Sequence, residues 1–210
     1  MRITQSFANR RGKLPDVDES AMNGLHLRHQ EQSSDRGPAP VTENDPLQLQ
    51  GGCPMPTPLK VGSKAPAFSM NTDSGGKITL KDFKGQKVAL YFYPKDDTSG
   101  CTKEAIEFTE NINKFKKVGA VVIGVSKDTV AKHDKFKDKH GLKVILGSDE
   151  DGKVTNKYGV WVEKSMYGRK YMGIERATFL IDEKGVIREI WRKVKVKEHA
   201  ATVLAAAKAL

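Results

Sequence analysis

From residue 57 onward, short apolar runs alternate with amphipathic stretches. Val88-Ala-Leu-Tyr-Phe-Tyr93 is continuously apolar and rich in aromatic and branched side chains, the pattern of a central strand covered on both faces. Ala120-Val-Val-Ile-Gly-Val125 repeats it and Val144-Ile-Leu146 is a third strand. Ile78-Thr-Leu80 reads as a short strand leading into Lys81–Gln86, where Gly85 marks a turn. Thr178–Ile181 and Val186–Trp191, joined by Asp182-Glu-Lys-Gly185, read as a hairpin. Between the first two strands Ala105, Phe108, Ile112 and Phe115 recur at helical spacing on the face of Cys101, in a helix expected to end near Gly119. A polar helix runs from about Thr129 to His140 and stops at Gly141. A short helix is expected near Val154–Tyr158, and a last one carries Val196, Ala200, Val203, Ala207 and Leu210 on one face. This alternation, closed by a hairpin and a helix, predicts an α/β layered sheet.

The pattern fails at the N-terminus. Residues 1–54 hold one aromatic, Phe7, and no sustained period, and Gln30–Pro40 is too polar to offset the cost of ordering. We read 1–56 as a disordered tail ahead of one domain, 57–210. Two other origins for the tail stay open. Met1–Arg11 is faintly like an organellar transit peptide, although Asp16, Asp18 and Glu19 follow at once; alternatively, Met55 is the natural start.

Composition narrows the class. Two cysteines make no disulfide scaffold, and no C-x-x-C pair offers a dithiol centre or zinc ribbon. No apolar run approaches the ~20 residues of a membrane span, and no signal-peptide core is present, so a soluble cytoplasmic protein is expected. The net charge of +10 lies in the domain, because residues 1–54 carry six basic and seven acidic groups. Its lysines are scattered singly over polar helix faces and turns, without a nucleic-acid motif; they read as solvated surface, and neither nucleic acid nor membrane is expected as a partner. His133 and His140, seven apart, show no metal-ligand pattern, and no phosphate loop or dinucleotide fingerprint occurs, so neither metal nor cofactor is expected.

The chemistry concentrates at Pro94-Lys-Asp-Asp-Thr-Ser-Gly-Cys101, where a buried strand gives way to a helix. Unpaired N–H groups and the helix dipole favour an anion in a first turn, which makes Cys101 a candidate reactive thiolate. Pro94, Thr98 and Cys101 form a P-x-x-x-T-x-x-C pattern that resembles the peroxiredoxins of the AhpC/TSA family. Tyr91–Glu104 is similar to their bacterioferritin-comigratory, or Q-type, branch. Leu59–Phe68, Gly147–Gly152, Tyr158–Trp161 and Gly173–Asp182 resemble further family segments in order, so the likeness covers roughly 57–210.

The resemblance implies a thioredoxin-like fold, a central mixed sheet flanked by helices, and a thiol-dependent peroxidase acting on hydrogen peroxide and organic hydroperoxides through a sulfenic acid at Cys101. It assigns Thr98 a hydroxyl that accepts from the peroxide and donates to the thiolate, Pro94 a shielding role, and Arg176 the guanidinium beside the sulfur. Glu104 either orients Arg176 or satisfies helix-start donors. The departure is Ile106, which stands where many Q-type members carry a resolving cysteine, about 140° around the helix from Cys101. Cys53 is the only other thiol, either a resolving partner or incidental. A one-Cys mechanism follows, with an external reductant (thioredoxin, glutaredoxin or glutathione) and a monomer or dimer. The competing reading is a redox sensor or holdase switched by Cys101 oxidation with little turnover.

Overall fold

A strand that is apolar on both faces must be covered on both, and the run at Val88 lies accordingly inside a seven-stranded sheet. The computed structural model describes residues 58–166 and 168–210. The tail expected over 1–56, with Cys53, lies outside the described residues. Along the chain come β1 (Ser69–Thr72), β2 (Lys77–Thr79), β3 (Lys87–Phe92), α1 (Ser99–Glu110), α2 (Ile112–Lys117), β4 (Ala120–Ser126), α3 (Val130–His140) and β5 (Ile145–Ser148). They are followed by α4 (Lys153–Lys157), β6 (Trp161–Met166), β7 (Arg169–Ile174), β8 (Ala177–Ile181), β9 (Ile187–Trp191) and α5 (His199–Ala209). The large sheet has the order β2-β1-β5-β4-β3-β8-β9, while β6 and β7 pair with each other. β3, β4 and β5 run parallel. β1, β2, β8 and β9 join antiparallel. The sheet is mixed and flanked by helices, as a thioredoxin-like fold requires.

Alternation along β3 divides the core. Ala89, Tyr91 and Tyr93 enter one cluster with Cys101, Ala105, Phe108, Ile112 and Phe115, which α5 closes through Ala200, Val203 and Ala207. Val88, Leu90 and Phe92 enter the other, with Phe68, Met70, Val154, Tyr158 and Ile174. Burying each large apolar side chain of this kind contributes about 1.5–3 kcal/mol. Cys101 therefore belongs to a packed layer, and α1 is held on the sheet by the stripe that the spacing predicts.

Three features depart from the sequence reading. The helix expected from Cys101 to Gly119 is broken at Asn111, whose Nδ2 donates to the Glu107 carbonyl at 2.9 Å. A side chain that competes for the backbone in this way bends helices. The last helix begins at His199, so Val196 precedes it, and Leu210 is exposed. The β6–β7 hairpin and β1 were not expected at all. Elsewhere the agreement is close: α3 ends at Gly141, whose φ of 60° is the left-handed cap that glycine adopts freely.

Tyr91 leans across its parallel neighbour Gly124, where an added Cβ would lie 2.5 Å from the ring carbon Cζ. Gly124→Ala is expected to destabilise the domain by about 1–3 kcal/mol through overpacking. The effect should appear as a lower urea midpoint with an unchanged slope; an unaltered midpoint would mean that the ring yields freely.

Candidate active site

The site forms where the chain leaves the carboxyl end of β3. The Tyr93 amide still donates to the Val125 carbonyl, at 3.1 Å, and the segment from Pro94 to Thr98 then turns into α1. No side chain caps α1, and the first amide to close back on its start is that of Thr102, bonded to the Thr98 carbonyl at 2.8 Å. The preceding N–H groups have no acceptor within the helix, which leaves the positive end of its dipole beside Cys101. Cys101 itself is only 2% exposed.

Arg176, between β7 and β8, reaches this helix end. Its Nη2 donates to Cys101 Sγ at 3.3 Å, and its Nη1 donates to Glu104 Oε2. Of its two carboxylate oxygens, Glu104 thus gives Oε2 to the arginine, and neither is bonded to an amide at the start of α1 among the described residues. Its carboxylate is almost completely buried. Burial pushes its pKa up to about 7, against the pull of the Arg176 charge and hydrogen bond. Burial opposes the charge on Arg176, but Glu104 and Cys101 together raise its pKa, so the guanidinium stays ionised. The Tyr91 hydroxyl is buried in the same region and, like Glu104 Oε1, has no hydrogen-bond partner among the described residues. Burial, then the charges of Glu104 and Cys101, raise its pKa well above the ordinary value, so it remains a neutral phenol.

The Thr98 hydroxyl points differently from the sequence expectation, and Pro94 lies beside it in the same loop. Both are exposed, and the Thr98 hydroxyl donates to the Lys95 carbonyl at 3.2 Å instead of to Cys101. Its proton is committed to the backbone of its own loop, while its lone pairs stay free to accept a hydrogen bond.

Sequence reasoning missed the residues that fix the loop. Asp96 is buried; it accepts from the Tyr93 hydroxyl at 2.7 Å and from His133 Nδ1 at 2.7 Å, and its own amide donates to Asp128 Oδ2 at 2.8 Å. Asp97 adopts a left-handed φ of 56°, which aspartate tolerates better than most residues. It pairs with Lys139 at 2.6 Å and His140 at 2.8 Å. These bonds, Lys139 first, hold its pKa below the usual carboxylate value. His133 belongs to the helix read as polar, yet it is fully buried. Both histidines of α3 therefore hold the loop that leads to Cys101. Their separation from Asp96 and Asp97 by some forty positions leaves no local signal.

Known proteins bear on this arrangement. The AhpC/TSA family model matches residues 61–190. A putative peroxiredoxin bcp of Coxiella burnetii is 54% identical over 146 residues, covering 70% of this chain and 97% of that protein. Peroxiredoxin Bcp of Bacillus subtilis is 47% identical over 146 residues, 70% of this chain and 93% of that one. Among solved structures, the Xanthomonas campestris bacterioferritin comigratory protein, described by its alkyl peroxide reduction activity, superposes with a TM-score of 0.65 at 43% identity. That match covers 68% of this chain and 90% of the other.

The buried carboxyl makes stability depend on pH. Folded Glu104 keeps its proton to about 7, whereas an unfolded glutamate releases it near 4.5, so between these values the folded state binds more protons and stability falls as pH rises. His199 acts oppositely: its folded pKa is lowered to about 4 from 6.5, first by burial and then by Arg176, so stability rises with pH over that range. Glu104→Gln should remove only the first effect. Relative to wild type, the variant is expected to gain on the order of 2–3 kcal/mol between pH 4.5 and 7. Urea titrations at both pH values test this, and a constant difference between the two proteins would refute it.

Proposed function

Because the chain belongs to the AhpC/TSA family, within its peroxiredoxin Q branch, and is a thiol peroxidase, we propose that Cys101 is its peroxidatic cysteine, with Thr98, Arg176 and Pro94 around it and Glu104 in support. The observation that carries this reading is the Arg176 guanidinium spanning the Cys101 sulfur and the Glu104 carboxylate. The Cys101 thiolate attacks one peroxide oxygen in line with the O–O bond. That bond breaks, an S–O bond forms, and the departing oxygen takes a proton to leave as water or alcohol. The sulfur is oxidised to a sulfenic acid and the peroxide is reduced. Arg176 supplies fixed positive charge to the reacting atoms. Thr98, whose proton is occupied by Lys95, accepts the peroxide hydrogen and orients the molecule. Pro94 closes the loop over the sulfur.

Hydrogen peroxide and organic hydroperoxides are the proposed substrates, in keeping with the alkyl peroxide reduction described for the Xanthomonas relative. We assign a one-Cys cycle, because isoleucine holds position 106 and the chain has only one other cysteine, Cys53. An external thiol (thioredoxin, glutaredoxin or glutathione) then reduces the sulfenic acid in the cytoplasm. Among the described residues no helix is long and apolar enough to cross a membrane.

Intact mass spectrometry after one equivalent of peroxide tests the cycle. A single added oxygen on Cys101, cleared by thiol, is expected; a stoichiometric Cys53–Cys101 disulfide would overturn the one-Cys assignment. Cys101→Ser should abolish turnover and Cys53→Ser preserve most of it. Thr98→Val and Arg176→Ala should each slow sulfenic acid formation roughly a hundredfold, and changes below about threefold would mark them as structural.

We also propose that residues 57–210 form the complete peroxidase unit. A chain beginning at Met55 is expected to keep the thermal midpoint and the activity of the full chain. A markedly lower midpoint would show that the tail packs on the domain.

A further inference from the structure

One peptide group joins the buried network behind the loop to the Thr98 hydroxyl. The bond between Lys95 and Asp96 is trans and planar, so its N–H and C=O point in opposite directions. Its N–H is the Asp96 amide, which donates to Asp128 Oδ2 at 2.8 Å. Its C=O is the Lys95 carbonyl, which accepts the Thr98 hydroxyl at 3.2 Å. Turning the plane at one end therefore moves the acceptor at the other. Asp128 holds the first end firmly. It is buried just beyond β4, and Oδ2 also accepts from the Ser126 hydroxyl at 3.0 Å. Ser126 Oγ in turn accepts from the Asp128 amide at 3.0 Å, and Oδ1 accepts from Lys132 at 3.3 Å. Although α3 begins two residues later, no amide of that helix donates to this carboxylate among the described residues, so it serves the loop and not the helix end. Burial opposes the charge on Asp128, but the bonds from the Asp96 amide, Ser126 and Lys132 outweigh it and hold its pKa below the ordinary carboxylate value. The N–H of the peptide is thus met by an anion, which makes the stronger kind of hydrogen bond.

A hydroxyl carries a single proton. While the Lys95 carbonyl holds that proton, Thr98 can only accept, and its lone pairs are fixed in direction. If the carbonyl swings away, the proton is released and the hydroxyl turns freely. We propose that Asp128 is a positioning residue for the peroxide step: through the Lys95–Asp96 peptide it fixes the Thr98 hydroxyl as an acceptor for the peroxide hydrogen. The inference rests on the reading of Cys101 and Thr98 above and adds to it a residue from the far side of the loop. Asp128 acts through Thr98, not on the sulfur.

The test uses the full chain carrying Cys53→Ser, so that Cys101 is the sole thiol, and compares two single-turnover rates. One is sulfenic acid formation with hydrogen peroxide, the other alkylation by iodoacetamide. Both need the thiolate, but only the first needs the Thr98 acceptor. Asp128→Ala is expected to lower the ratio of the peroxide rate to the alkylation rate about tenfold, the scale of a small misplacement at reacting atoms. Asp128→Asn keeps an acceptor oxygen and should restore most of the ratio. Added to Thr98→Val, Asp128→Ala should cause little further loss, because two residues in one chain of contacts do not act independently. Should Asp128→Ala fail to fold, Ser126→Ala removes the hydroxyl that steers the same carboxylate oxygen, and there the ratio should fall about threefold. An unchanged ratio, or losses that multiply in the double variant, would make Asp128 a purely structural residue and overturn the proposal alone. If Thr98→Val itself left the ratio unchanged, the reading of Thr98 would fall, and this inference with it.

Discussion

Arg176 is the constraint on which the rest is organised. Its guanidinium must reach both a sulfur and a carboxylate on α1 from a backbone position at the start of β8, an antiparallel neighbour of β3. That requires α1 to lie on the same face of the sheet as Tyr91 and Tyr93, which the stripe Ala105, Phe108 and Ile112 enforces. The arginine is in turn held by its backbone, since the Val194 amide donates to its carbonyl at 3.0 Å. A buried ion pair of this kind is weak evidence for stability, because desolvation offsets much of the attraction. The raised pKa of Glu104 is that cost made visible. What the pair supplies is geometry: one cation fixed beside one sulfur.

A second set of bonds fixes the loop from the other side. The buried contacts of Asp96 with Tyr93, His133 and Asp128 join the end of β3 to α3 and the end of β4. The pairs made by Asp97 are more exposed and correspondingly weaker. The loop between β3 and α1 is therefore anchored at its middle, while the first turn of α1 carries no cap. Rigidity and freedom are separated by only a few residues.

This division also explains what was legible in the sequence. Val88–Tyr93 and Ala120–Val125 were readable because strands covered on both faces are apolar throughout. Cys101, Thr98, Arg176 and Glu104 were named from ordered motifs; in the structure Arg176 meets both the Cys101 sulfur and Glu104, while the Thr98 hydroxyl turns to Lys95. The hairpin at β6 and β7 was not, since Glu163, Lys164, Ser165, Arg169 and Lys170 offer no apolar alternation. The Asp96–His133 and Asp97–His140 contacts join residues distant in sequence, and a histidine on a lysine-rich helix carries no mark of burial. The break at Asn111 depends on one amide side chain that helical spacing ignores. The direction of the Thr98 hydroxyl is a matter of rotamer, beyond any residue pattern.

The sulfur of Cys101 is enclosed in the same cluster as Phe108 and Tyr91. A peroxide is a few atoms across, whereas a thiol carried on a peptide is far bulkier than any opening that a cysteine exposed by only 2% leaves. The first turn of α1, which carries no side-chain cap, is one place where a wider opening can form. Molecular size alone thus sets different demands on the fold: a peroxide asks for a narrow opening, a thiol borne on a peptide for a wide one. Burial of the cysteine acts in this way as a filter by size.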